Sequence, residues 1–223
     1  MNMKQQIKKN EYLYCLFCWM QNRILGRNRY RIGKNILIVE KARFCKTEIK
    51  IVGTDNVVEI RKGTFLRNCK IYIYGNGNKV IIGENVIANG ARFHMEDDES
   101  TINIMDNTTI ENNTEIAAIE GTNIQIGKDC MISSDVRICT GDSHSLVDLD
   151  GNRVNPSVDI RIGSHCWIGA RAVVNKGVSI PEHCTIGACS VITQNLKAVS
   201  HCVIAGIPGT VIRQQVDWRR ERI

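Results

Sequence analysis

The sequence predicts an all-β solenoid, a parallel β-helix of about eight coils with a short N-terminal α-helix and one protruding loop. Three spacings carry that reading. Counting in sixes from Ile162 gives Ile168, Val174, Ile180, Ile186, Ile192, Ala198 and Ile204, all apolar. Upstream, Ile60, Ile82, Ile104 and Ile126 recur every 22 residues, and Ile38 extends the series one step back. Between the two series lies a gap of 36 residues, from Ile126 to Ile162. Neither an α-helix nor a plain strand repeats every six residues. A hexapeptide repeat does, and it marks a helix of strands in which three six-residue sides close one coil.

The chain begins with a polar, basic stretch and an apolar run of nine residues, Tyr12–Met20. The run is too short to span a bilayer. No small-residue cleavage site follows it, since Gln21–Arg31 is polar and basic. The expectation is a cytoplasmic protein whose ten cysteines stay reduced. Residues 4–27 read as an amphipathic helix that packs on the domain, with contact to a membrane surface as the second reading. The predicted organisation is a helical segment over 1–34, the solenoid over 35–212 and a tail over 213–223.

The 22-residue coils come next. Val57–Ile60, Lys79–Ile82, Thr101–Ile104 and Asn123–Ile126 share a short strand signature. A coil of 18 plus a turn of four accounts for the period. The turn chemistry stands in Gly53-Thr54-Asp55-Asn56, Gly75-Asn76-Gly77-Asn78 and Asp97-Asp98-Glu99-Ser100. Lys70, Arg92 and His94 fall where regular counting wants apolar residues, so side assignment in these coils is loose.

The count runs on through Ile132 and Ile138 and then stops until Val158–Ile162. The loop is therefore 142–157, reading "DSHSLVDLDGNRVNP" over Asp142–Pro156, with only Leu146, Val147, Leu149 and Val154 apolar. Long loops on rigid repeat scaffolds are where function tends to sit.

Beyond it the repeat is regular. Glycine follows the anchor at Gly163, Gly169 and Gly187, and four residues past each anchor stands Cys166, Ala172, Val178, Cys184, Ser190 or Cys202, with Leu196 the larger exception. Anchors point inward, and the smaller residues fill the corners. Each buried Ile or Val is worth roughly 1.5–3 kcal/mol, gained only when coils stack. This explains a His-Cys pair that recurs every 18 residues, at 165–166, 183–184 and 201–202. Cysteines face inward, and histidines face outward in a ladder of about 4.8 Å per step. The two residues of a pair cannot share one metal, and imidazoles stacked on one edge rarely converge as tetrahedral zinc demands. No metal is expected.

A net charge of +6 suits phosphate-bearing ligands. The same charge would suit a nucleic-acid surface, but no basic run is interleaved with aromatics as in single-strand binders, so no nucleic-acid partner is expected. In the loop, His144 stands beside Asp142. An imidazole takes and returns a proton near pH 7 without a large shift, and Asp142 or a backbone carbonyl would fix its tautomer. From these residues alone His144 is either a surface residue or a general base.

"HCWIGARAVVNKGVSIPEHCTIGACSVIT" and "VIAGIPGTVIR", within Gly163–Arg213, resemble the bacterial hexapeptide-repeat acyltransferases. Most similar are the sugar O-acetyltransferases, both the galactoside and maltose enzymes and the branch that decorates capsules and lipopolysaccharide. The resemblance covers well over half the chain and implies a left-handed helix. It also implies transfer of an acetyl group from acetyl-CoA to a hydroxyl of a sugar or surface-polysaccharide precursor, without an acyl-enzyme. His144 matches the base that deprotonates the acceptor. Trp167 should lie near the same cleft, either shaping the acceptor or thioester pocket or packing on the coil. Ala170 and Ala188 match backbone contacts to the pantetheine arm, Thr193 a further contact, and Arg213 a group near the nucleotide phosphates. Asn113 aligns with an acceptor-binding asparagine. Gln194 and Thr210 stand where the family often has basic residues, which leaves phosphate contacts to Lys176, Lys197 or Arg171. The family forms trimers with coenzyme A between solenoids, so a homotrimer is expected. N-acetylation of an amino sugar, transfer to serine, a metal solenoid like the γ-carbonic anhydrases and a scaffold with a silent cleft are the alternatives.

Overall fold

The computed structural model describes residues 10–223. Three parallel sheets form the faces of a prism. The first face stacks eight strands: Arg29–Arg31, Glu48–Val52, Lys70–Tyr74, Arg92–Glu96, Glu115–Ile119, Arg137–Cys139, Val173–Val174 and Val191–Ile192. The second stacks Ile36–Val39, Val57–Ile60, Lys79–Ile82, Thr101–Ile104, Asn123–Ile126, Ile160–Ile162 and Ser179–Ile180. The third runs from Arg43–Cys45 through Trp167–Ile168 to Cys202–Gly206, and the antiparallel strand Gly209–Gln214 closes its edge. Paired strands therefore begin at Arg29 and end at Gln214, a little beyond the 35–212 span read from the repeat.

The predicted anchors fill the core. Ile60, Ile82, Ile104, Ile126, Ile132, Ile138, Ile162, Ile168, Val174, Ile180, Ile186, Ile192 and Ile204 are all buried. Ile38 is a correction. Val39, not Ile38, pairs with Ile60, and Ile38 faces out, because the first coil is one residue shorter than those above it. A second adjustment concerns the first face. Lys70, Arg92 and His94 point outward, while Ile71, Ile73, Phe93 and Met95 are buried. Strands of five residues there alternate two inward side chains in place of one anchor and one corner residue.

The turns between faces use left-handed backbone, which Asn, Asp and His adopt more readily than most side chains. One corner column holds Asn85, Asn107, Asp129, His165, His183 and His201, all at positive φ. The residue after each is inward and buried: Val86, Thr108, Cys130, Cys166, Cys184 and Cys202. The His-Cys pairs are the last rungs of these two columns. Gly163 answers a different need. A Cβ there would lie 2.4 Å from the backbone nitrogen of Glu182 on the next coil.

Helix α1 spans Glu11–Met20 and continues as a π turn over Gln21–Leu25. Asn10 caps it, accepting from the amides of Tyr12 and Leu13. The predicted 4–27 helix lies partly outside the described residues. Its described part is not amphipathic. Cys18 is buried, yet Tyr12, Leu13, Leu16, Trp19 and Met20 are exposed, since the run is apolar on every side. Asn22 ties the helix to the first coil, donating to the Ala42 carbonyl at 2.9 Å and accepting from the Phe44 amide at 2.7 Å. No helix is long and apolar enough to cross a membrane among the described residues.

Candidate active site

The excursion leaves the first face after Cys139 and rejoins the second face at Ile160, at the corner where earlier coils carry their extra turns. It is a short hairpin arm. Val147 bridges Arg153 in antiparallel fashion, and the Asp148 amide donates to the Asn152 carbonyl at 2.9 Å. The Asp148 carboxylate accepts from the amides of Asp150 and Asn152, at 3.0 and 2.8 Å, and so shapes the tip.

Asn155 organises the base of the arm. Its amide nitrogen donates to Asp142 Oδ2 and to the His144 carbonyl, both at 2.8 Å, and its Oδ1 accepts from the Leu146 amide at 2.6 Å. Lys176, one coil above, donates to Asp142 and to the Asn155 carbonyl. The Lys176 ammonium, then the Asn155 amide, hold the Asp142 carboxyl below the usual carboxylate range. Glu120 anchors the returning strand, accepting from the Ser157 hydroxyl at 2.7 Å and from Arg153. The Ser157 hydroxyl and Arg153 keep its carboxyl low as well.

His144 is held by its backbone and exposed, and no polar partner reaches its ring among the described residues. Asp142 does not touch that ring; it serves the Lys176 and Asn155 contacts instead. The tautomer-fixing role expected for Asp142 is therefore corrected to one of anchoring. The three predicted groups His144, Asp142 and Thr193 do share the loop corner. Thr193 follows Val191–Ile192, and Gln194 stacks over Gly177, whose added Cβ would lie 3.1 Å from that of Gln194. Ala170, Ala188 and Asn113 occupy the corner between third and first faces. The Cys189 amide donates to the Ala170 carbonyl at 2.8 Å, so successive coils stack there. Asn113, at φ 58°, donates to Asp135 at 3.2 Å. It lines an open cavity of about 510 Å³ with Asn68, Lys70, Arg92 and Glu115.

Trp167 and Arg213 lie on the third face, across the prism from the loop corner. Trp167 donates from Nε1 to Ser133 Oγ at 3.2 Å, and Arg213 is exposed opposite Val203. Within one chain, Trp167 and His144 are not brought into one cleft. A larger cavity, about 750 Å³, lies under helix α1, far along the axis from His144.

The tail is a strap. After Gln214 it runs down the histidine corner across several coils. Trp218 stacks on His165 at 4.5 Å and donates to the His165 carbonyl at 2.8 Å. Arg220 reaches Asp129 at 3.1 Å and Thr109 at 3.0 Å. Asp217 faces all three imidazoles, at 3.5 Å from His165, 2.9 Å from His183 and 3.7 Å from His201. Ligand atoms of His165, His183 and Asp217 lie within 4.8 Å of one another. The convergence that stacked imidazoles lack is supplied by this carboxylate. Both His165 nitrogens face acceptors, Asp129 at 2.7 Å and the Trp218 carbonyl at 3.1 Å. A neutral imidazole donates only once, so this geometry favours the imidazolium over the neutral ring. Burial opposes that charge, but Asp129, the Trp218 carbonyl and Asp217 outweigh it and raise the His165 pKa.

All ten cysteines are free. Burial, with Cys202 beside it, pushes the Cys184 thiol up to about 12. A thiol so held is a packing residue rather than a nucleophile.

The bacterial transferase hexapeptide family, six repeats, matches residues 159–194. Together with the three-sided solenoid and its single arm, that match makes the chain similar to the hexapeptide-repeat acyltransferases. Within that class it is similar to polysialic acid O-acetyltransferases. The one from Neisseria meningitidis is 32% identical over 132 residues, which cover 59% of this chain and 60% of that protein. The chain thus aligns with less than two thirds of that curated relative. The crystal structure of the polysialic acid O-acetyltransferase OatWY superposes with a TM-score of 0.75 at 26% identity, covering 88% of this chain and 92% of that one. The polySia-specific acetyltransferase NeuO gives a TM-score of 0.58 at 26% identity, over 84% and 83% of the two chains.

Proposed function

We propose that this protein transfers an acetyl group from acetyl-CoA to a hydroxyl of an acidic surface polysaccharide, polysialic acid being the first acceptor to test. The observation that carries the reading is the arm, whose backbone is tied down by Asn155, Asp142, Lys176 and Glu120 while the His144 ring is left free for a substrate. His144 takes the proton from the acceptor hydroxyl as its oxygen attacks the thioester carbonyl. The tetrahedral intermediate then expels the coenzyme A thiolate, which takes the proton back from the imidazolium. The products are an acetyl ester and free coenzyme A, and no enzyme thiol takes part.

Assembly as a homotrimer accounts for the scattered groups. In a crevice between two copies, the loop corner of one meets another face or corner of the next, so that His144 works beside the neighbour's positions equivalent to Trp167, Ala170, Ala188 and Arg213. Exposed Leu146, Val147, Leu149 and Val154 on the arm fit contact with such a neighbour. Asn113 then serves the acceptor. Outward residues near it, including Lys50, Lys70, Tyr72, Tyr74, Arg92 and His94, form an aromatic and basic strip interleaved with Glu48, Glu96 and Glu115, which engage Tyr72, His94 and Arg92; the Lys50 ammonium sits 5.1 Å from the Tyr74 ring centre. Lys50 and Lys70, in no ion pair among the described residues, are the cations this reading offers to a sugar carboxylate. Lys176 is committed to Asp142, which leaves Arg171, Lys197 and Arg213 for the coenzyme phosphates.

The test is acetyl transfer to polysialic acid and to a panel of neutral polysaccharides, with wild type and His144→Ala. General-base catalysis is worth about 10²–10⁴ in rate. A loss smaller than about tenfold removes His144 from the base role, and turnover on neutral acceptors alone removes the acidic one.

A further inference from the structure

Charge is distributed very unevenly along this chain. Eight of its 29 Lys and Arg, but one of its 23 Asp and Glu, fall in the first 39 residues. That stretch carries +7, and the remainder of the chain carries −1. Between residues 12 and 39 there is no acidic side chain, and Arg23, Arg27, Arg29, Arg31 and Lys34 are all exposed. None of the five is in an ion pair among the described residues. Of the acids nearby, Glu11 is paired with Lys41, Glu40 lines the cavity under α1, and Glu48 stands in register beside Arg29 on the next strand without forming an ion pair with it.

The same end is apolar. Helix α1 packs its inner side on the first coil, with Cys18 buried, but its outer side bears Tyr12, Leu13, Leu16, Trp19 and Met20. Ile24 and Leu25 extend the patch at 61% and 57% exposure. A helix apolar on both sides is normally covered on both, and contiguous apolar patches rimmed by charge mark interaction surfaces. Basic residues on the edge strand Arg29–Arg31 would alone be read as protection against edge pairing. That does not account for the apolar helix beside them.

From this combination we infer that the N-terminal end of the solenoid docks on an anionic lipid bilayer, with α1 lying in the interface. Apolar and aromatic side chains enter the headgroup boundary, and the neighbouring arginines meet lipid phosphates. A polyanion in solution would satisfy the cations but leave the apolar side chains in water. A second copy would cover the apolar side chains but bring two cationic ends together. A bilayer meets both requirements. The axis then stands off the membrane, and His144 lies several coils away from it.

The test is flotation of the full chain with phosphatidylcholine vesicles, with and without about 30 mol% phosphatidylglycerol. Binding is expected with the anionic vesicles only, and about 0.5 M salt should weaken it. Arg29→Gln with Arg31→Gln should lower partitioning roughly fivefold per residue. Leu16→Glu with Trp19→Glu should abolish it. These positions are exposed, so an unchanged circular dichroism spectrum is expected. Activity on a short soluble acceptor should also be unchanged, which separates failure here from failure of the proposed reaction. No flotation, or capture by soluble polyanions with no flotation, overturns the proposal. So does helix-dependent self-association that Leu16→Glu abolishes without any vesicle binding.

Discussion

The 22-residue coils and the 18-residue coils solve one packing problem in two ways. In the later coils each side is short, and the core is a stack of Ile and Val anchors with Cys, Ala or Ser at the corners. In the earlier coils the first-face strands lengthen to five residues, and the loop corner holds a buried polar ladder. Asn56 and Asn78 are fully buried there. Asn56 accepts from the Asn78 amide, and Asn78 from the Ser100 amide, each at 2.9 Å. Their side-chain amides donate to the carbonyls of Gly75 and Asp97, also at 2.9 Å. The later coils need no such ladder because their tighter corner has fewer backbone groups to satisfy. Regularity is thus maintained by apolar anchors throughout, and the extra turns cost a dedicated set of hydrogen bonds.

The sharpest way to break the comparison is to remove equivalent anchors. Ile104→Ala and Ile186→Ala should each cost about 2–5 kcal/mol. Denaturant titration checks this, and equal losses would show that the two regions share one core logic. Next comes the ladder. Asn78→Ala leaves buried backbone groups unpaired and should cost about 1–3 kcal/mol, whereas Ala172→Ser at a later corner should cost less in the same titration. Third, Asn155→Ala should release the arm with little change in unfolding. The proposed acetyl transfer should fall by about tenfold or more, because misplacing a catalytic group by an ångström is that costly; unchanged kcat would mean that the other ties at the arm's base suffice. The smallest effect concerns the strap. His165 has a raised pKa, so its contribution to tail docking is fully present below about pH 6.5 and fades as pH rises through the raised value. Proteolysis of the tail should therefore quicken in wild type as pH rises through that value, and His165→Gln should weaken that pH dependence.

Much of this was legible in the sequence because the core tolerates little variation. An inward Ile every 6 or 22 residues is a direct trace of coil length, and the 36-residue gap marks the arm without ambiguity. Ile38 misleads because a shortened first coil shifts register by one residue, which flips the side chain to the opposite face. The partner of Asp142 was out of reach for another reason. Lys176 is 34 residues away, brought near only by coil stacking and by the path the arm takes home. Asn155 carried one visible signal, an asparagine just before a proline at the end of a polar loop. Trp218 over His165 carried none, since nothing local tells a tail which corner to follow.

The position of the arm has a further consequence. Both kinds of added length, the four-residue turns and the arm, enter at one edge of the prism, and the other two edges keep their stacking across all the coils. New segments spliced in along that edge would leave the interior lattice undisturbed. Added length and core packing are therefore written on separate parts of each rung, and a designer can rewrite one while copying the other unchanged.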